Sequence, residues 1–221
     1  MLIIIDRPGL MCNRLWAFSP FISYAIRNGV ELRVVFFQEY IDVFENLDLY
    51  ENVKFTKTNK LIYRILIWLF KVKGYFWYVP AGFLKLLNIR FIQAEDLLND
   101  SIKEDPSLKK RAYLLNSWES KKPLMSFADR ENILSLFLPK RQERVTVESW
   151  FEGLRQVYTC IVGIHIRRGD YKEYYGGKYY FTDTTYKELM DKVDSQIDGS
   201  VCFVICSCDD VALEAFSGTT V

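Results

Sequence analysis

The densest run of polar side chains in this 221-residue chain is Gly163-Ile164-His165-Ile166-Arg167-Arg168-Gly169-Asp170-Tyr171, set where an apolar run gives way to a polar loop. A guanidinium presents a planar fork of donors that matches phosphate or carboxylate oxygens, so two arginines in succession at such a point suit a phosphate clamp. Period-two alternation puts His165 and Arg167 on one face of a strand, with Arg168 on the other or free to turn into the loop. Asp170, three residues after Arg167, is spaced to hold one arginine in a fixed rotamer through a charge-assisted pair. Read without a ligand, the same residues are a structural histidine at a strand end and an exposed turn carrying a solvated ion pair. A second polar loop, Gly9-Leu10-Met11-Cys12-Asn13-Arg14, follows a buried-type apolar run and opens a helical pattern, a position where backbone N–H groups meet an anion or a sugar hydroxyl. It carries neither G-x-G-x-x-G nor a Walker pattern.

These loops need elements to hold them. Residues 2–5 form a continuous apolar run of strand length, and Asp6-Arg7-Pro8-Gly9 ends it with turn chemistry. Apolar positions recur at helical spacing over 13–28, Asn28-Gly29 closes the pattern as a C-cap, and residues 30–37 are β-branched and aromatic. Strand, loop, helix and strand in that order make one βαβ unit and hence a parallel sheet. The middle, residues 38–149, reads as mostly helical, with a short strand-like segment at 113–116 and a helix over 126–138. The charged, unpatterned stretch 139–144 marks a boundary before a helix at 147–157. A second unit of the same kind follows: strand 160–166, loop 167–182, helix 185–196, strand 201–207 and a final helix over 209–216. The expectation is an α/β chain of two Rossmann-like lobes with parallel sheets, residues 1–144 and 145–221. Both polar loops then sit at the carboxyl ends of strands, where such sheets bind ligands. Two strands are few for a lobe, so the C-terminal one is expected to be incomplete.

Composition narrows the function classes. Half the residues are apolar and 26% are charged, as a packed globular protein requires. Twenty-nine basic against twenty-eight acidic residues leave a net charge of +1, so the broad positive field of a nucleic-acid binder is missing and any anion must be caught locally. Five cysteines and a single histidine show no C-x-x-C spacing. Cys202, Cys206 and Cys208 lie on a strand-like run and read as core packing, not as a closed zinc site with four ligands. A reducing, cytoplasmic setting is expected, since the opening apolar run is too short for a signal peptide. Residues 54–94 contain eight Lys or Arg and no Asp or Glu, with aromatic clusters between them. Basic residues interrupt this stretch too often for a membrane span. The pattern fits a buried helix with its charges at the rim, with peripheral contact at the anionic inner face of a membrane as the second reading.

Taken together, His165-x-Arg167-Arg168-Gly169-Asp170-Tyr171 resembles the H-x-R-R-x-D motif of fucosyltransferases, and with its tyrosine it is most similar to the bacterial α-1,2-fucosyltransferases of glycosyltransferase family 11. The opening Gly9-x-x-Cys12-Asn13-Arg14-Leu15 resembles that family's G-x-x-G-N-Q-[LM] loop. Phe203-Val-Ile-Cys-Ser207-Cys-Asp209-Asp210 resembles its later S-D-D strand end. The chain departs from the pattern at Cys12, where the loop has its second glycine, at Arg14, where it has glutamine, and at Cys208, where S-D-D has its first aspartate. The resemblance spans residues 1 to about 216 in order. It implies a GT-B-like arrangement, GDP-fucose as donor, an oligosaccharide or glycolipid acceptor, inversion at the anomeric carbon and no metal or other cofactor. Arg167 is then the first choice for the cation on the leaving diphosphate and Arg168 the second. His165 would bond the diphosphate or steady the arginine, and Tyr171 would line the donor site. Ser207 and Asp209 would meet guanine or ribose, while Gly9, Asn13 and Arg14 would form the N-terminal loop of the site. Asp6, Asn13 and Asp170 are the candidates for handling the acceptor hydroxyl. The alternatives are a sugar-nucleotide-binding protein that is truncated or catalytically inactive, and a membrane-surface binding protein.

Overall fold

A parallel arrangement of short strands organises the N-terminal half of the chain. The computed structural model describes residues 1–71, 88–92, 97, 112–118, 126, 129–207 and 209–216. The chain divides into two compact units, Met1–Arg141 and Gln142–Val221.

In the first unit, strands β1 (Leu2–Ile4), β2 (Leu32–Val34), β3 (Val53–Phe55), β4 (Ile89–Ile92) and β5 (Ala112–Leu115) form one all-parallel sheet in the order β3-β2-β1-β5-β4. Leu2 lies opposite Leu32 on one side and Tyr113 on the other. Such sheets bury both faces, and the side chains of Leu2, Ile4, Leu32, Val34, Tyr113 and Leu115 are all inaccessible. Helix α1 (Met11–Asn28) supplies Ala17, Phe18, Phe21, Ile22 and Ala25 to this core, a helical spacing that presents one face to the sheet. Gly29 ends it in the left-handed conformation at φ 62°. The Asn52 amide then bridges the carbonyls of Ala25 and Val30, fixing the turn into β2. Phe37 is an aromatic hub, with the rings of Phe18, Tyr40, Phe44, Phe55 and Phe137 centred 5.3–6.2 Å away. Helix α2 (Lys60–Lys71), helix α3 (Arg130–Leu136) and a 3-10 helix, Gln38–Val43, also belong to this unit.

Among the described residues, the middle of the chain holds more strand than the one segment expected near 113–116. It contributes β3, β4 and β5 to the sheet, and β3 and β4 are only three and four residues long. Runs that short show no periodicity of their own, and ladder pairing with neighbours makes them strands. The charged stretch 139–144 is also not a linker throughout, because helix α4 (Arg141–Val157) starts inside it.

In the second unit, β6 (Cys160–Ile166) and β7 (Val201–Ser207) pair in parallel over their whole length, with helix α5 (Asp183–Asp194) between them in sequence. These are the two strands found among its described residues. Its core is Ile166, Met190, Val201, Phe203 and Phe216. The helix expected over 209–216 is only a short 3-10 turn, Leu213–Phe216. Among the described residues, no helix is long and apolar enough to cross a membrane. Much of the basic and aromatic stretch 54–94, and Cys208, lie outside the described residues.

Candidate functional site

Strand β6 delivers its polar cluster at its carboxyl end. His165 stands exposed opposite Cys206, and Ile166, opposite Ser207, is buried and anchors the strand end in the core. The alternation expected from the sequence holds here, with His165 and Arg167 both exposed on either side of the buried isoleucine.

The two arginines have separate fates. Arg167 forms a fork-to-fork pair with Asp170, Nε to Oδ1 at 3.2 Å and Nη2 to Oδ2 at 2.9 Å, while its guanidinium lies 4.7 Å from the centre of the Tyr171 ring. Its side chain stays 45% exposed, so the guanidinium is oriented and still reachable. Arg168 turns the other way, donating from Nη2 to Asp183 in the first turn of α5 and from Nε to the Phe181 carbonyl at 3.2 Å. The Asp183 bond raises its pKa further, and only 17% of its side chain is exposed. Arg168 is thus a tie between the β6 turn and α5, and Arg167 is the cation turned outward.

Asp209 builds the turn itself. Its Oδ2 accepts the backbone N–H groups of Gly169 and Arg168, both at 2.9 Å, and those two donors hold its carboxyl below the ordinary carboxylate range. Its own N–H donates to Ser207 Oγ at 3.0 Å, which closes the turn after β7. A Cβ at Gly169 would sit 3.2 Å from Asp209 Oδ1, so the close approach favours glycine there. Ser207 and Asp209, expected to touch the nucleoside, are here bonded to the protein's own backbone.

The N-terminal loop also reaches the carboxyl edge of its sheet, but Arg14 does not line a surface. It is fully buried, with Nη1 donating to the Phe36 carbonyl and to Glu39 Oε2, each at 2.9 Å, and Nη2 reaching the Gly9 carbonyl at 3.4 Å. Its guanidinium packs 4.9 Å from the Tyr40 ring centre. Glu39 also accepts from Arg7 and from the Tyr63 hydroxyl. Partial burial pushes the Glu39 carboxyl up, but the bonds from Arg14, Tyr63 and Arg7 outweigh it and hold its pKa at about 2. Burial and the same carboxylate push the Tyr63 phenol up. Gly9 (φ 44°) takes a left-handed turn against the Asn13 amide, leaving no room for a Cβ, and the Asn13 side chain is exposed.

Asp6 spans the point where the strand order reverses, between β1 and β5. Its Oδ1 accepts the Ser117 N–H and hydroxyl, and its Oδ2 the Ser117 hydroxyl and the Trp118 N–H, at 2.8–3.0 Å. Burial raises its pKa against the pull of those donors. Of the three acceptor-handling candidates, Asp6 and Asp170 thus already have both oxygens engaged. No family model, curated protein or solved structure matches this chain.

Glu39, Tyr63, Ser117 and Asp183 were not singled out by sequence. Asp183 alone carried a local signal, an acid in the first turn of a helix whose N-cap Thr182 accepts from the Thr185 N–H. The others act through partners 24 to 111 residues away. Among the described residues no cluster of three or more His, Cys, Asp or Glu is arranged to hold a metal ion.

Proposed function

We propose that the chain is an inverting glycosyltransferase of the fucosyltransferase type, moving fucose from GDP-fucose to a hydroxyl of a glycan, with a galactoside and an α-1,2 linkage as the reading of its motif. The observation that carries this reading is Arg167: an exposed, preoriented guanidinium at the carboxyl end of a parallel strand, next to His165 and held by Asp170.

In the proposed reaction the acceptor oxygen attacks the anomeric carbon from the face opposite the diphosphate. The bond from that carbon to the β-phosphate oxygen breaks and its electron pair leaves with GDP, while the acceptor gives up its hydroxyl proton to solvent water. Negative charge grows on the departing phosphate as the sugar becomes oxocarbenium-like. Arg167 meets that charge with N–H donors that Asp170 and the Tyr171 ring have already aimed, so little reorganisation is needed as the bond breaks. Asp209 contributes indirectly, by fixing the Arg168-Gly169 backbone from which Arg167 projects. Arg168 braces the loop through Asp183. A GT-B pairing of the two units, and peripheral membrane contact through residues 54–94 at the cytoplasmic face, belong to the same proposal.

The test is calorimetric titration of the full chain with GDP and GDP-fucose, followed by transfer assays on galactosides with the wild type and Arg167→Ala. Loss of one preorganised donor to a developing anion lowers transfer by about 10² to 10⁴. Equal transfer rates for the two proteins would remove the clamp, and binding of GDP without transfer would leave a nucleotide-binding protein in place of an enzyme.

A further inference from the structure

Beyond Tyr171, the loop between β6 and α5 carries rings that no role above uses. Tyr171 touches Arg167, its ring centre lies 5.6 Å from that of Tyr174, and Tyr174 meets Tyr175 edge to face at 4.6 Å and 89°. Tyr179 closes the group at 6.2–6.4 Å from the other three, perpendicular to Tyr175 at 87°. Tyr174, Tyr175 and Tyr179 are all exposed, Tyr175 by 73%. Contiguous exposed aromatic surface is uncommon on a soluble protein and marks contact with a ligand or partner.

The backbone favours this display at a cost. Tyr175 (φ 49°), Gly176 (φ 67°) and Gly177 (φ 79°) are three left-handed residues in succession, and a tyrosine there is strained. Desolvation, and then the neighbouring phenols Tyr175, Tyr171 and Tyr179, push the Tyr174 hydroxyl up from its ordinary value.

We infer that Tyr174, Tyr175 and Tyr179 form a stacking platform for a pyranose ring of the acceptor glycan. This rests on the reading of Arg167 as the phosphate cation, because the acceptor must lie beside the carbon that leaves the phosphate, and the rings run outward from Arg167 without a break. The ring geometry selects a sugar over a nucleobase. A flat base is held best between parallel faces, and here Tyr175 crosses Tyr174 and Tyr179 at nearly 90° while Tyr174 is tilted 36° from Tyr171 and from Tyr179, so no two of these faces are parallel. A puckered pyranose presents C–H groups, each slightly positive, to two electron-rich faces at right angles and hydroxyls to the phenol tips.

The experiment uses the full chain with lactose as the probe, read by saturation-transfer NMR, alongside GDP titration. Wild type is expected to transfer saturation to the lactose ring protons at millimolar concentration. Tyr175→Ala and Tyr174→Ala are expected to weaken lactose about tenfold or more, Tyr175→Trp to retain it, and all three to keep GDP affinity within about twofold. No saturation transfer in the wild type overturns the platform, as does a loss of GDP affinity in Tyr175→Ala equal to the loss for lactose. A chain that binds lactose but not GDP sinks the donor reading alone, and one that binds GDP but not lactose sinks the platform alone.

Discussion

Replacing Glu39 by Gln preserves shape and removes the carboxylate charge that faces the buried Arg14 guanidinium at 2.9 Å. Arg14 is fully inaccessible, and among the described residues its Nε has no hydrogen-bond partner, so the residue depends on Glu39, the Phe36 carbonyl and the Gly9 carbonyl for compensation. Removing one partner of a buried ion pair costs about 3–5 kcal/mol when both ions are dry. The Glu39 side chain is 31% exposed, and water reaching it lowers that figure to about 2–3 kcal/mol. The ionisation of Glu39 leads to a similar size: a carboxyl brought from 4.5 to about 2 at about 1.4 kcal/mol for each pH unit corresponds to about 3 kcal/mol before screening. The sign follows from the direction. A carboxyl whose folded pKa lies below its unfolded one stabilises fully above the unfolded value, and the contribution falls away as the pH drops from 4.5 through about 2. Urea unfolding at pH 7, followed by circular dichroism, should place the midpoint of Glu39→Gln about 1 M below wild type for a slope of about 2 kcal/mol/M. The gap should narrow steadily as the pH falls below 4.5. A variant within about 0.5 kcal/mol of wild type at pH 7, or a gap that stays constant down to pH 2.5, would refute the claim that this pair compensates Arg14.

Two further outcomes bear on the second unit. Asp209→Ala should speed amide hydrogen exchange at Arg168 and Gly169, because both N–H groups lose their shared acceptor, and should weaken GDP binding by disturbing Arg167; unchanged exchange at both amides would show that the turn holds itself. Transfer should persist in excess chelator, since arginine, not a divalent ion, is proposed to take the diphosphate charge. Complete loss with EDTA, restored by Mn²⁺ or Mg²⁺, would show the site to be of another kind.

The sequence by itself determined the parts whose signal is local. Apolar runs bounded by turn residues located β1, β6 and β7, and helical spacing ended by Asn28-Gly29 located α1, because an apolar run of strand length and one apolar helix face are patterns written into consecutive residues. That Asp170 holds one of the two arginines was equally legible, and the structure shows that one to be Arg167, three residues before it. Tertiary structure alone decided the rest. The tripeptide Val53–Phe55 becomes a strand through its register with Leu32–Val34, and three residues carry no period from which to read it. The order of the five strands, and with it the point between β1 and β5 that Asp6 and Ser117 bridge, depends on contacts across 111 residues. The neighbouring arginines Arg167 and Arg168 are told apart by Asp183, fifteen residues further on, which draws one inward and leaves the other facing solvent. Arg14 shows the same physics most sharply. Its place in a polar loop suggests a ligand contact, yet a guanidinium that finds a carboxylate and a carbonyl 25 and 22 residues away is bonded before any ligand arrives.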